Sequence, residues 1–166
     1  MHVTLATEPD PAARGLFDDV FGEEFTEEDW QHCLGGTHAH AQDGSTLVGH
    51  AAVVPRTLWL DGRALRTGYV EGVAVALTHR RRGVGSALMA ALQDIIDERY
   101  ELGALAATDD GAALYRALGW MPMRGFLGVR HPDGRVEATD DNGVFVRGDA
   151  DPAAQLLCDH RPGDCW

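Results

Sequence analysis

Val73-Ala74-Val75-Ala76-Leu77-Thr78-His79-Arg80-Arg81-Arg82-Gly83-Val84-Gly85-Ser86-Ala87-Leu88 is the stretch that decides how this chain folds. It begins as an apolar β segment, crosses a basic glycine-containing turn, and ends in the clearest helix of the sequence. Val84, Ala87, Leu88, Ala91, Leu92, Ile95 and Ile96 recur at helical spacing, with Gln93, Asp94, Asp97 and Glu98 opposite. The period predicts an amphipathic helix over 83–101, ended by Gly103. The first N–H groups of such a helix have no partner within it, and the helix dipole makes that end positive. Gly83 and Gly85 remove the Cβ atoms that would hold a phosphate away, and Arg80, Arg81 and Arg82 add charge at the mouth. The run has neither the GxGxxG spacing of a dinucleotide turn nor the terminal GK[ST] of a P-loop, which argues against both of those readings.

Upstream, residues 2–6 read as a strand, and Thr7 or Asp10 opens a helix carrying Ala12, Ala13, Leu16, Phe17, Val20 and Phe21. Thr26-Glu27-Glu28-Asp29 is a capping-box pattern for a short helix through Trp30 and Cys33, stopped by Gly35-Gly36. The period then changes to two, predicting strands at 37–42, 46–54, 56–60 and 63–69, with hairpin signals at Asp43-Gly44 and Asp61-Gly62 and a bend or strand end at Pro55. Val70–Val75 continues as a strand in which Gly72 marks a bulge or a close backbone approach. Downstream, 104–108 is a buried strand, Thr108 or Asp109 caps a helix that Gly119 stops, and strands follow near 125–130 and 143–147. Residues 149–166 read as a polar tail. The fold class expected is mixed α/β, one domain over 1–166 with helices on both sides of a single sheet.

The chain of 166 residues holds 26 acidic and 14 basic side chains, for a formal charge of -12, and every basic one is Arg. Without lysine, a Schiff base and a P-loop lysine are excluded. Nucleic acid is disfavoured because phosphate binding needs a basic footprint. The charge is uneven: residues 1–79 carry -8, residues 80–130 carry +1 and residues 131–166 carry -5. The middle suits an anion and the ends a cationic partner. No long apolar run or leader-like N-terminus is present, so a cytoplasmic protein off the membrane is expected. Cys33, Cys158 and Cys165 lack CxxC spacing, and reduced thiols are the default. His38 and His40 fall on one strand face, but no Cys or acid pair completes a ligand set, so no metal is expected.

The motif Arg80-x-x-Gly83-x-Gly85, after Val73 and Val75 and opening a long helix, resembles the acyl-CoA pyrophosphate motif of the GNAT acetyltransferases. Ala112-Ala113-Leu114-Tyr115-Arg116-Ala117-Leu118-Gly119-Trp120 is similar to a second motif of that superfamily. A narrower resemblance runs through Phe25–Trp30, Leu34–Ala39, Gly68–Val75 and the ending Cys158–Trp166, which look like the bacterial aminoglycoside 2'-N-acetyltransferases. That family implies transfer of acetyl from acetyl-CoA to the 2'-amine of antibiotics such as gentamicin or tobramycin, commonly by a homodimer. Two departures stand out: Ala106 and Ala107 replace serines usual near the substrate, and His160 replaces a Trp.

The resemblance implies a role for each motif residue. Main-chain groups of Val73, Ala74 and Val75 would pair with the pantetheine arm, and Arg80, Arg81, Arg82, Gly83, Val84, Gly85 and Ser86 would hold the pyrophosphate. Tyr115 is the expected general acid for the departing thiolate, since a phenol near pKa 10 can supply that proton. Glu71, a carboxylate in an apolar strand beside the acyl site, is expected to accept the amine proton, directly or through water, or to bind substrate; a structural ion pair is the other reading. Glu24, Asp29, Glu71 with the Gly72 backbone, Asp140 or Asp141, Asp164 and the Trp166 terminal carboxylate would line an acidic acceptor site. Two rivals remain: a GNAT enzyme for polyamines or peptide amines, and a non-catalytic module binding cationic drugs or acetyl-CoA.

Overall fold

The computed structural model describes residues 1–166 and resolves them into two compact units, one of residues 1–54 and 70–95, the other of 55–69 and 96–166. Two long strands, β3 (Thr46–Leu60) and β4 (Arg63–Val75), pass through both. In the first unit β1 (His2–Ala6) pairs antiparallel with β2 (Thr37–Asp43), and β2 with β3, with a register shift at Ala41/Gln42. Helix α1 (Ala13–Phe21) buries Ala13, Leu16 and Phe17 in a cluster with Leu47 and Ala74, edged by Val20, Phe21, Phe25 and Trp30. Its cap differs from the expectation: Ala12 holds the N-cap position, while Asp10 accepts from Ala12 N at 2.8 Å in the turn before it. Helix α2 (Glu27–His32) has the expected capping box, with Thr26 Oγ1 accepting from Asp29 N and Asp29 Oδ2 accepting from Thr26 N.

Helix α3 (Val84–Arg99) follows the predicted face, but its buried arc is wider. Gln93, expected opposite the core face, is buried, as is Met89, together with Val84, Leu88, Leu92, Ile95 and Ile96. The helix stops at Arg99 rather than at Gly103, which lies within β5 (Leu102–Ala106).

In the second unit, helix α4 (Asp109–Ala117) starts from Thr108, whose hydroxyl accepts from Gly111 N, and Gly119 follows its C-cap as expected. The remaining strands are β6 (Met121–Pro122), β7 (Leu127–Arg130), β8 (Val136–Ala138), β9 (Val144–Arg147) and β10 (Leu156–Asp159). The hydrogen-bonded order is β6-β9-β5-β4-β3-β10-β7-β8. β4 pairs parallel with β5 over Thr67–Tyr69, and β5 pairs antiparallel with β9. This mixed sheet with helices is the α/β class the sequence implied.

Two strand expectations change. β3 is continuous through Pro55, which falls between the stretch paired with β2, ending at Val53, and the stretch paired with β10, beginning at Leu58. No ladder bond on that edge needs the N–H that proline lacks. The expected tail supplies β10, whose Leu156, Leu157 and Cys158 are buried between β3 and β7. Its apolar run of three residues is too short to register as a strand pattern.

Candidate active site

Within the first unit, the chain leaves β4 through a 3-10 turn at Leu77–His79 and enters α3 through Arg80–Gly83. Arg80, Arg81 and Arg82 are all exposed, as is Gly83. Arg81 at φ +62° and Gly83 at φ +80° adopt left-handed conformations, and a Cβ added at Gly83 would have no atom within 4 Å. The Arg80–Gly83 turn that leads into α3 is therefore open to solvent, while Val84 is buried and Gly85 half-buried at the helix start itself; a helix N-terminus reached through an open basic turn is a geometry that can receive an anion. The turn is tied back by His79 Nε2 to Asp43 Oδ2 at 3.2 Å, a bond that holds the Asp43 carboxyl below its usual pKa.

Ahead of that turn lie Glu71, Gly72, Val73, Ala74 and Val75, with Ala74 buried and the others half-buried. The β4–β5 ladder ends at Tyr69, leaving Val73–Val75 outside it. Gly72 is the irregularity the sequence suggested. Its φ is +56°, and a Cβ there would meet Cys33 Sγ at 2.6 Å and Phe17 Cζ at 3.1 Å. The close approach is made by the protein's own side chains. Glu24 is exposed in a 3-10 turn at Gly22–Glu24, and Asp29 is half-buried with Oδ2 committed to the α2 capping box. A cavity of about 130 Å³ lies beside them, lined by Arg14, Asp18, Phe25, Thr26, Glu27 and Trp30. Ligand pockets usually span ~300 to 1,000 Å³, so this one alone is too small for an oligosaccharide.

Tyr115, Asp140, Asp141, Asp164 and Trp166 belong to the second unit. Tyr115 is 6% exposed on α4, packed against Trp120 and Phe145 at ring-centroid distances of 6.5 and 6.1 Å. Burial pushes its phenol up to about 12. Asp141, Asp164 and Trp166 come together. The Asp141 carboxyl is raised first by partial burial, then by the negative charge of Asp164. Trp166 is buried, its indole N–H donating to Thr139 Oγ1 at 2.9 Å and its backbone N–H to Asp164 Oδ1 at 3.1 Å.

This closing segment is locked, contrary to the polar tail expected. Arg56 donates to Asp159 Oδ1 at 2.7 Å and to the carbonyls of Asp159 and Cys165 at 2.9 and 2.8 Å, while Arg161 donates to those of Asp164 and Trp166. Nothing local in the sequence pairs Arg56 with a strand a hundred residues away. Cys33, Cys158 and Cys165 are free thiols, the default expected. The His38–His40 pair gains a third imidazole, His50, which sequence reasoning missed: the donor atoms of the three lie within 4.8 Å of one another. The signal was available, since the Asp43-Gly44 hairpin sets His50 opposite His40.

The acetyltransferase (GNAT) domain family matches residues 5–123. Over 98% of its length the chain is 38% identical to an aminoglycoside 2'-N-acetyltransferase from Mycolicibacterium fortuitum, 87% of which is covered. The chain belongs to the aminoglycoside 2'-N-acetyltransferase family of the GNAT superfamily. Among solved structures, the GNAT family N-acetyltransferase YhbS of Escherichia coli, in complex with CoA, superposes with a TM-score of 0.65 at 18% identity, covering 98% of this chain and 94% of that one. A GCN5-related N-acetyltransferase from Kribbella flavida gives 0.59 at 24% identity, covering 75% of this chain and 33% of that one, so the chain spans about a third of its length. Both likenesses establish the GNAT fold. At the positions where the chain departs from the aminoglycoside 2'-N-acetyltransferase pattern, Ala106 pairs with Val144, Ala107 N donates to Gly143 O at 2.8 Å, and the His160 ring lies 4.9 Å from that of His131.

Proposed function

We propose that this GNAT acetyltransferase transfers acetyl from acetyl-CoA to the 2'-amino group of aminoglycosides, by direct attack in a ternary complex, and so confers resistance to them. The observation that carries this reading is the 38% identity over 98% of the chain, which takes in the acceptor-side segments as well as the CoA loop. The bound acetyl-CoA supplies an activated thioester; transfer forms a C–N bond and breaks a C–S bond. The residues present fit that co-substrate, because the open Arg80–Gly83 turn and the α3 start it leads into answer its phosphates and the Val73–Val75 edge outside the β4–β5 ladder offers main-chain groups to its arm.

Each residue then has a chemical task. The N-terminal N–H groups of α3, at Val84, Gly85 and Ser86, hold the pyrophosphate. A main-chain N–H of Val73–Val75 polarises the carbonyl. Glu71 takes the proton that the amine loses on attack. Tyr115 gives the departing sulfur its proton, and the two exchanges balance through solvent. The raised phenol keeps Tyr115 protonated, in the form that can donate. Glu24, Asp29, Asp140, Asp141, Asp164 and Trp166 serve the polycationic acceptor. Single exposed pairs contribute only ~0.2 to 1 kcal/mol, so affinity for a polycation needs more than one of these carboxylates.

A thiol-release assay with matched aminoglycosides tests the regiochemistry. Turnover is expected on a compound bearing a 2'-amine and not on its 2'-hydroxyl counterpart; equal turnover on both refutes the assignment.

A further inference from the structure

Three buried imidazoles sit where β2 meets β3. His40 is paired directly with His50, and His38 shares the face of His40 two residues away. All three are buried, with ring centroids 5.3 to 6.0 Å apart. Their hydrogen bonds fix the protons. His50 Nδ1 lies 2.8 Å from the Gly72 carbonyl oxygen, which only accepts, so the proton is on Nδ1. Burial keeps His50 neutral at ordinary pH, pulling its pKa down to about 4, so Nε2 carries a lone pair. His38 Nδ1 stands 3.0 Å from that lone pair and must donate to it, which leaves His38 Nε2 bare and without a partner in the protein. His40 Nε2 is used otherwise, accepting from Asp10 N at 3.0 Å.

The chain of donors ends on the one residue of β4 whose φ is positive. Gly72 at +56° is bonded by His50 at its carbonyl, and Cys33 and Phe17 occupy the space that a Cβ there would need. The Phe17 ring stands edge-on to His50 at 5.0 Å and 86°, which keeps the imidazole from turning away. Linked hydrogen bonds of this kind polarise one another and specify one arrangement.

We propose that His50, fixed in its Nδ1–H tautomer by His38, is a positioning residue that clamps the Gly72 peptide and thereby aims Glu71 on one side and the Val73–Val75 main chain on the other. The inference rests on reading 71–75 as the reacting strand. It assigns the buried triad to backbone control; a metal would have to displace the proton between His38 and His50.

Long-range ¹H–¹⁵N spectra at neutral pH should show Nδ1–H tautomers for both His50 and His38. An Nε2–H tautomer at His50, or a stoichiometric zinc ion at the triad by metal analysis, overturns the assignment. In kinetics, His50→Phe fills the space without a donor, and His50→Asn places an amide N–H near the Nδ1 position. The Phe variant is expected to lose ~10- to 100-fold in kcat/KM for the amine, with the acetyl-CoA KM nearly unchanged, and the Asn variant to recover most of the loss. Wild-type kinetics in His50→Phe, or equal loss in both folded variants, contradicts the proposal. Should the Phe variant not fold, the wild-type tautomer spectrum decides alone. A wild type that acetylates some other amine would sink the aminoglycoside reading while leaving the histidine assignment to be decided by the spectrum.

Discussion

Tyr115 and His50 show how burial sets chemistry one residue at a time. With its phenol raised to about 12, Tyr115 keeps its proton through the whole working range and loses it only as pH rises through that value. Tyr115→Phe is therefore expected to lower kcat by ~10- to 10⁴-fold, leaving the acetyl-CoA KM alone, and the wild-type profile should show no loss of activity from Tyr115 up to about pH 10. Steady-state kinetics across pH check both. His50 works in the other direction. Its folded pKa of about 4 lies below the usual 6.5, so the unfolded chain binds the proton more readily. The neutral ring's contribution is fully present above pH 6.5 and disappears as pH falls toward 4. At ~1.4 kcal/mol per unit this amounts to about 3 kcal/mol. Of the neighbouring ionisable groups, His38 and His40 deepen the effect and Asp10 moderates it. Urea unfolding at pH 7.5 and pH 4.5 should show this loss in the wild type and a smaller one in His50→Phe.

Elements differ in how openly the sequence announces them. The α3 periodicity, the Thr26 capping box, the Thr108 cap and both Asp-Gly hairpins are local patterns, and each stands where local chemistry puts it. β10 and the Arg56 anchor depend on partners far along the chain, so no local pattern marks them. The same holds for the site. The loop of Arg80–Ser86 is legible as a motif, whereas the His38–His50 chain onto Gly72 emerges only once β2, β3 and β4 are folded. The loop also offers a test at this scale. Gly83 at φ +80° becomes strained by ~1 to 2 kcal/mol when given a branched side chain. Gly83→Val should raise the acetyl-CoA KM by ~10-fold or more while changing the acceptor KM little, as two-substrate kinetics would reveal.

Across the whole molecule the charge is unevenly divided. Its formal -12 is concentrated in residues 1–79 and 131–166, while 80–130 is near neutral and bears the three loop arginines. A polycationic acceptor should feel the acidic field at long range and acetyl-CoA should not be drawn by it. Raising ionic strength from ~0.02 to ~0.3 M shortens the screening length severalfold, so kcat/KM for the amine should fall while that for acetyl-CoA holds or improves. The central claim concerns a single bond. NMR of the product formed from acetyl-CoA and an aminoglycoside with several free amines locates the new acetyl group directly. The account predicts acetylation at the 2'-nitrogen alone; acetyl on any other amine, or a spread over several, would contradict it.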